Sequence, residues 1–137
     1  MGKLASIRWS RVSTCAVLIY WAAMLLGTHL PGPAVPATPY SDKSLHFMAY
    51  AGLGFLLAWA WTARRPFLWG GPLFAVLVAA GYGGLDELTQ TFIPGRYGDV
   101  VDWLYDAAGT LTGTGCFLVL ELFVRRVGWS GRRTLSQ

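Results

Sequence analysis

Residues 84–109 read Gly84-Leu85-Asp86-Glu87-Leu88-Thr89-Gln90-Thr91-Phe92-Ile93-Pro94-Gly95-Arg96-Tyr97-Gly98-Asp99-Val100-Val101-Asp102-Trp103-Leu104-Tyr105-Asp106-Ala107-Ala108-Gly109. Asp86 and Gln90 stand four residues apart, with Glu87 adjacent. Asp99, Asp102 and Asp106 follow at spacings of three and four. Such spacings stack side chains along one helical face. Between the two sets, Pro94 and Gly95 force a turn. The stretch therefore predicts the end of one helix, a turn or re-entrant cap, and the start of the next, with acids lining both.

The flanks of this stretch are apolar. Four runs are long enough to cross a bilayer, which takes roughly 20 residues of helix. They cover Val12–Leu30, Ser44–Ala63, Pro66–Gln90 and Trp103–Val124. With 54% hydrophobic residues in 137, the chain is too short to house four such helices in a water-soluble core. The expected fold is all-α: one domain over residues 1–137, a bundle of four transmembrane helices with a polar cleft at one end. The first helix has the basic start of a signal peptide, but it is read as retained. Pro31, Pro33, Pro36 and Pro39 then make a stiff connection to the second helix, with Asp42 as its expected cap.

Charge supplies the orientation. Lys3, Arg8, Arg11, Arg64, Arg65, Arg125, Arg126, Arg132 and Arg133 share one side if the helices alternate, leaving Lys43 and Arg96 for the other. The positive-inside rule places both termini in the cytoplasm. A basic nucleic-acid groove is excluded, because no large soluble face exists to carry it. Glu121 and Arg125, four residues apart, make a local ion pair near the cytoplasmic end. Residues from Trp129 to Gln137 form an interfacial anchor and basic tail. Cys15 and Cys116 lack metal-ligand spacing and read as small apolar residues.

The outer ends hold the chemistry. Asp42, His46 and Tyr50 recur at four-residue spacing on the second helix, with Lys43 beside them. Alternating topology brings them to the level of Asp86, Glu87, Gln90, Asp99, Asp102 and Asp106. Asp86 sits eight residues before Pro94, about 12 Å of helical rise. Six acids face only Lys43 and Arg96, so water, a cation, shared protons or ligand amines must offset them. Arg96 offers a guanidinium fork to a phosphate or to the acids. A divalent cation is one candidate cofactor, held by Asp86 and Glu87 with Asp99, Asp102 or His46. His46, Asp86 and Glu87 are the candidate acid–base groups if the site is catalytic. His29, at the end of the first span, is placed at the interface or in this site. No zinc-ligand spacing, serine nucleophile elbow or Walker loop accompanies them.

Two motifs resemble the VanZ-like family of small integral membrane proteins. The first is Asp42-Lys43-x-x-His46-Phe47-x-x-Tyr50. The second is Asp86-Glu87-x-x-Gln90-x-x-x-Pro94-x-Arg96, followed by Asp99, Asp102, Asp106 and Gly109. The resemblance implicates Asp42, Lys43, His46, Asp86, Glu87, Gln90, Arg96, Asp102 and the position of Asp106, where many members carry asparagine. It implies a bacterial plasma-membrane protein linked to envelope protection, cell-wall precursors or lipoglycopeptide antibiotics. The expected function is binding or handling of an envelope lipid or such an antibiotic. Hydrolysis of a membrane lipid or polyprenyl phosphate is the enzymatic alternative. A structural part in an envelope complex is the third. Membrane lipids, a second copy of the chain or another membrane protein are the expected partners. Gly109 and Gly113 form a GxxxG stripe suited to packing against another span or subunit.

Overall fold

The computed structural model describes residues 3–34, 39–65 and 70–133. Four helices make up nearly all of it: α1 (Lys3–Thr28), α2 (Asp42–Thr62), α3 (Gly70–Gln90) and α4 (Val100–Arg133), with a short 3-10 turn at Gly32–Ala34. Among the described residues there are no strands. The expectations for Pro36, for Pro66 and for the tail residues 134–137 fall outside the described residues. The described part of the proline-rich connection includes the 3-10 turn at Gly32–Ala34.

The helix ends follow local chemistry. Ser41, in extended conformation, caps α2 by accepting the Ser44 N–H at 3.2 Å, so Asp42 is the first helical residue rather than the cap. Asp99 takes the corresponding part for α4. Its carbonyl accepts from Trp103 N, and its Oδ1 accepts from Val101 N at 2.8 Å. Between α3 and α4 the chain reverses through Gly95, whose φ of 75° lies in the left-handed region open to glycine. Gly98 lies against the Glu87 carbonyl, where an added Cβ would come within 2.6 Å. α4 continues past the expected Val124 to Arg133.

Alternation is visible in the contacts. Thr28 and His29 of α1 meet Asp86 and Thr89 of α3, while Arg64 at the far end of α2 donates to the Ser10 carbonyl near the start of α1. Odd helices thus run one way and even helices the other. α2 and α4 form the tightest pair. A Cβ at Gly109 or Gly113 would run into the backbone of Phe47 or Ala51, so the GxxxG stripe is consumed inside the chain. α1 joins the bundle through Tyr20, which donates to the Ala49 carbonyl at 3.0 Å, and through Trp21, which meets Tyr82 edge-on.

Burial is inverted relative to a water-soluble protein. Asp86, Asp106 and Thr110 are at most 1% exposed, whereas Ile19, Leu26 and Val119 are about 70% exposed. Apolar side chains on the outside of a helical bundle are what a lipid environment requires. Segments Trp9–Thr28, Asp42–Thr62 and Val100–Arg126 are long and apolar enough to cross a membrane. α3 is equally long, but Asp86, Glu87 and five glycines dilute its apolarity. The four-helix bundle expected from the sequence is present; among the described residues three of its helices are apolar enough to span a membrane, and α3 carries the buried acids Asp86 and Glu87. Cys15 and Cys116 are both free and exposed, on separate helices.

Candidate functional site

Polar side chains from all four helices converge at one end of the bundle. Asp86 and Glu87 are neighbours in sequence, but a step of about 100° around α3 sends them to different places.

Asp86 turns toward α1. Its Oδ1 accepts from Thr28 Oγ1 at 2.9 Å and from the Tyr82 hydroxyl at 3.5 Å, and its Oδ2 accepts from Gln90 Nε2 at 3.2 Å. His29 Nδ1 lies 3.6 Å from the same carboxylate, and its Nε2 is 3.1 Å from Thr89 Oγ1. His29 thus joins the site. Thr28 and Tyr82 were not among the expected site residues. Tyr82 stands four residues before Asp86, which is a helical-spacing signal. Thr28 carries no comparable mark, because its partner lies on another helix.

Glu87 turns toward α2 and α4. Its Oε2 accepts from Asp99 N at 2.7 Å, fastening the connector to α3. Its Oε1 lies 3.6 Å from His46 Nδ1. The same imidazole nitrogen is 2.9 Å from Asp106 Oδ1, and all three side chains are buried. Tyr50, one turn below His46, stacks parallel to it at 6.5 Å between ring centres. Gly83 is what lets α3 approach. A Cβ there would sit 2.9 Å from Asp106 Oδ2 and 3.3 Å from the Tyr50 ring. Glu87 Oε1, Asp106 Oδ2 and the Tyr50 hydroxyl are buried without a hydrogen-bond partner, a costly condition in the interior of a folded chain.

Lys43 stands at the start of α2, one residue after Asp42. Its ammonium contacts Asp102 at 2.8 Å and Asp99 at 3.1 Å. This follows from position: Lys43 begins α2 beside the beginning of α4, so the nearest charges are the acids of that first turn. The Asp99 carboxyl is held below its ordinary pKa by the Val101 N–H and then by Lys43. Arg96 has a different environment. Its Nε and Nη2 donate to the carbonyls of Leu30 at 3.3 Å and Gly27 at 3.5 Å. No carboxylate lies within ion-pair distance of it among the described residues.

A cleft of about 220 Å³ opens between α1 and α2 beside this cluster. Met24, Leu45 and Ala49 form its apolar walls, while Thr28, Asp42, His46, Tyr50 and Arg96 supply polar groups. Two sets of donors could also hold a cation: Asp42, His46 and Asp102, or His46, Glu87 and Asp106, with the donor atoms of each set within 4.8 Å of one another. Of the expected residues, His46, Glu87 and Asp106 meet directly. Asp99 and Asp102 meet Lys43, and Asp86 with Gln90 forms a separate centre against α1.

Helices with apolar exteriors around a buried histidine–carboxylate cluster define a helical membrane protein with a polar site in its interior. The sequence profile of the VanZ/LLP1 family matches residues 7–122, and the chain belongs to that family. The match reaches into all four helices and includes every residue of the site. No curated protein and no solved structure matches the chain.

Proposed function

We propose that the protein is a multi-pass envelope membrane protein, both termini cytoplasmic, which receives the anionic head group of an amphiphile in the cleft beside Arg96. The observation that carries this is the contrast between the two outer cations. Lys43 is neutralised by Asp99 and Asp102, whereas Arg96 reaches the cleft with, among the described residues, only backbone carbonyls as partners. A guanidinium without a counter-charge at a membrane-facing cleft suits a phosphate or carboxylate head group. The apolar walls suit the first segment of an acyl or prenyl chain. An envelope lipid and the lipid-bearing end of a lipoglycopeptide antibiotic both present this chemistry.

Nanodisc-embedded protein should bind a fluorescent lipid with a phosphate head group. Arg96→Ala is expected to weaken binding roughly tenfold or more, since a hydrogen bond to a charged group contributes about 1.5–3 kcal/mol. Arg65→Ala, at the opposite end, is expected to leave affinity unchanged. Equal affinity in the folded Arg96→Ala variant contradicts the assignment.

One observation favours a catalytic role as a second reading. His46 lines the cleft and also contacts buried Asp106, the arrangement of a general base oriented by a carboxylate. On this reading the protein hydrolyses a lipid or polyprenyl phosphate. Phosphate release by wild type and its loss in His46→Gln, with lipid binding retained, is the result required.

A further inference from the structure

We propose that His46, Glu87 and Asp106 form a binding site for one divalent transition-metal ion of the zinc or manganese class, set inside the bundle. The inference does not rest on the head-group reading, although His46 also lines that cleft.

Spacing is the first support. Ligands about 2.1 Å from a common ion lie about 3.0–3.4 Å from one another at octahedral or tetrahedral angles. His46 Nδ1 is 2.9 Å from Asp106 Oδ1 and 3.6 Å from Glu87 Oε1. The three donors come from α2, α3 and α4, so the bundle itself fixes their separations.

The second support is a buried carboxylate oxygen that makes no hydrogen bond. Glu87 has one carboxylate oxygen engaged by Asp99 N, while Oε1 points toward His46 without a hydrogen-bond partner. Its side chain is only 9% exposed. A buried carboxylate oxygen in that position needs a proton or a cation.

A divalent ion satisfies the charge of the set. Two ionised carboxylates in a poorly solvated interior carry two negative charges, and one imidazolium offsets only one. Lys43 does not help, being held by Asp99 and Asp102. A divalent ion bound to neutral imidazole and two carboxylates makes the set neutral. Nitrogen in the donor set favours zinc or manganese over magnesium or calcium. The alternative set, Asp42 with His46 and Asp102, is weaker: Asp42 is exposed, and Asp102 is already paired with an ammonium.

The test is equilibrium zinc binding to the full chain in detergent, read as bound metal per chain against a competing chelator. Wild type is expected to bind about one equivalent. Glu87→Gln and Asp106→Asn, which preserve shape, are expected to weaken it by ~100-fold or more, beyond what loss of an outer-shell contact produces. Asp42→Asn and Arg96→Ala are expected to bind as wild type does. Absence of stoichiometric zinc in wild type, or unchanged affinity in Glu87→Gln and Asp106→Asn, overturns the proposal. Loss confined to Asp42→Asn also overturns it, in favour of the other set. If the site variants fail to fold, cobalt decides on wild type alone. Visible d–d bands that saturate at one equivalent and are displaced by zinc support the site, and their absence overturns it.

Discussion

Asp99 shows how one exposed carboxylate organises this end of the molecule. It caps α4 through Val101 N, holds Lys43, and gives its own N–H to Glu87. Because the folded state depresses its pKa, its stabilising effect is present above the unfolded value near 3.9 and is lost as pH falls through the folded value. Wild type is therefore expected to melt at a higher temperature than Asp99→Asn at neutral pH, and the difference is expected to shrink as pH falls below the ordinary carboxylate range. Parallel melting curves with a constant offset at all pH values would contradict this assignment. At the same scale, the sequence made the identities of His46, Glu87 and Asp106 legible, because helical spacing is a property of the chain. Their pairing was less legible. Lys43 pairs with Asp99 and Asp102, a contact set by the relative placement of two helix starts, which spacing along the chain does not give.

At the scale of elements, packing of α2 on α4 is set by the absence of side chains. Gly113 sits on the Ala51 backbone, while Gly115, two residues on, has nothing within 4 Å. Gly113→Ala is expected to destabilise the bundle by about 1–3 kcal/mol or more through overpacking. Gly115→Ala is expected to be neutral or to stabilise by up to about 1 kcal/mol through helix propensity. Reversible unfolding in mixed micelles measures both, and equal effects would dissolve the distinction. The GxxxG pattern was plain in the sequence, yet it did not name its partner, since a neighbouring span and a second subunit demand the same small residues. Likewise, four apolar runs were legible, but the special character of α3 follows from what its polar residues touch. Asp86 needs Thr28 and Tyr82, and Glu87 needs His46 and Asp99. Adjacent acids on one helix serving two centres is a consequence of helical rotation and three neighbours, which spacing alone leaves open.

For the whole molecule, the fold separates two chemistries along its long axis. Arg64, Arg65, Arg125 and Arg126 lie toward one end, while the buried acids, His46 and Arg96 gather at the other. This polarity, combined with apolar exteriors, supports the proposal that the site faces outward. Reporter fusions should place residues 1 and 137 in the cytoplasm. A cysteine introduced at exposed Tyr97, in the α3–α4 connector, should react with an impermeant thiol reagent from outside, and labelling only after lysis would reverse the orientation.

The central claim is that this outer cleft holds an amphiphile through Arg96. The most direct measurement is native mass spectrometry of protein extracted from its own membrane, comparing wild type with Arg96→Ala. The account predicts a defined adduct with a phosphate- or carboxylate-bearing head group on wild type, strongly reduced in the folded variant. The same adduct at equal occupancy on both proteins would contradict it.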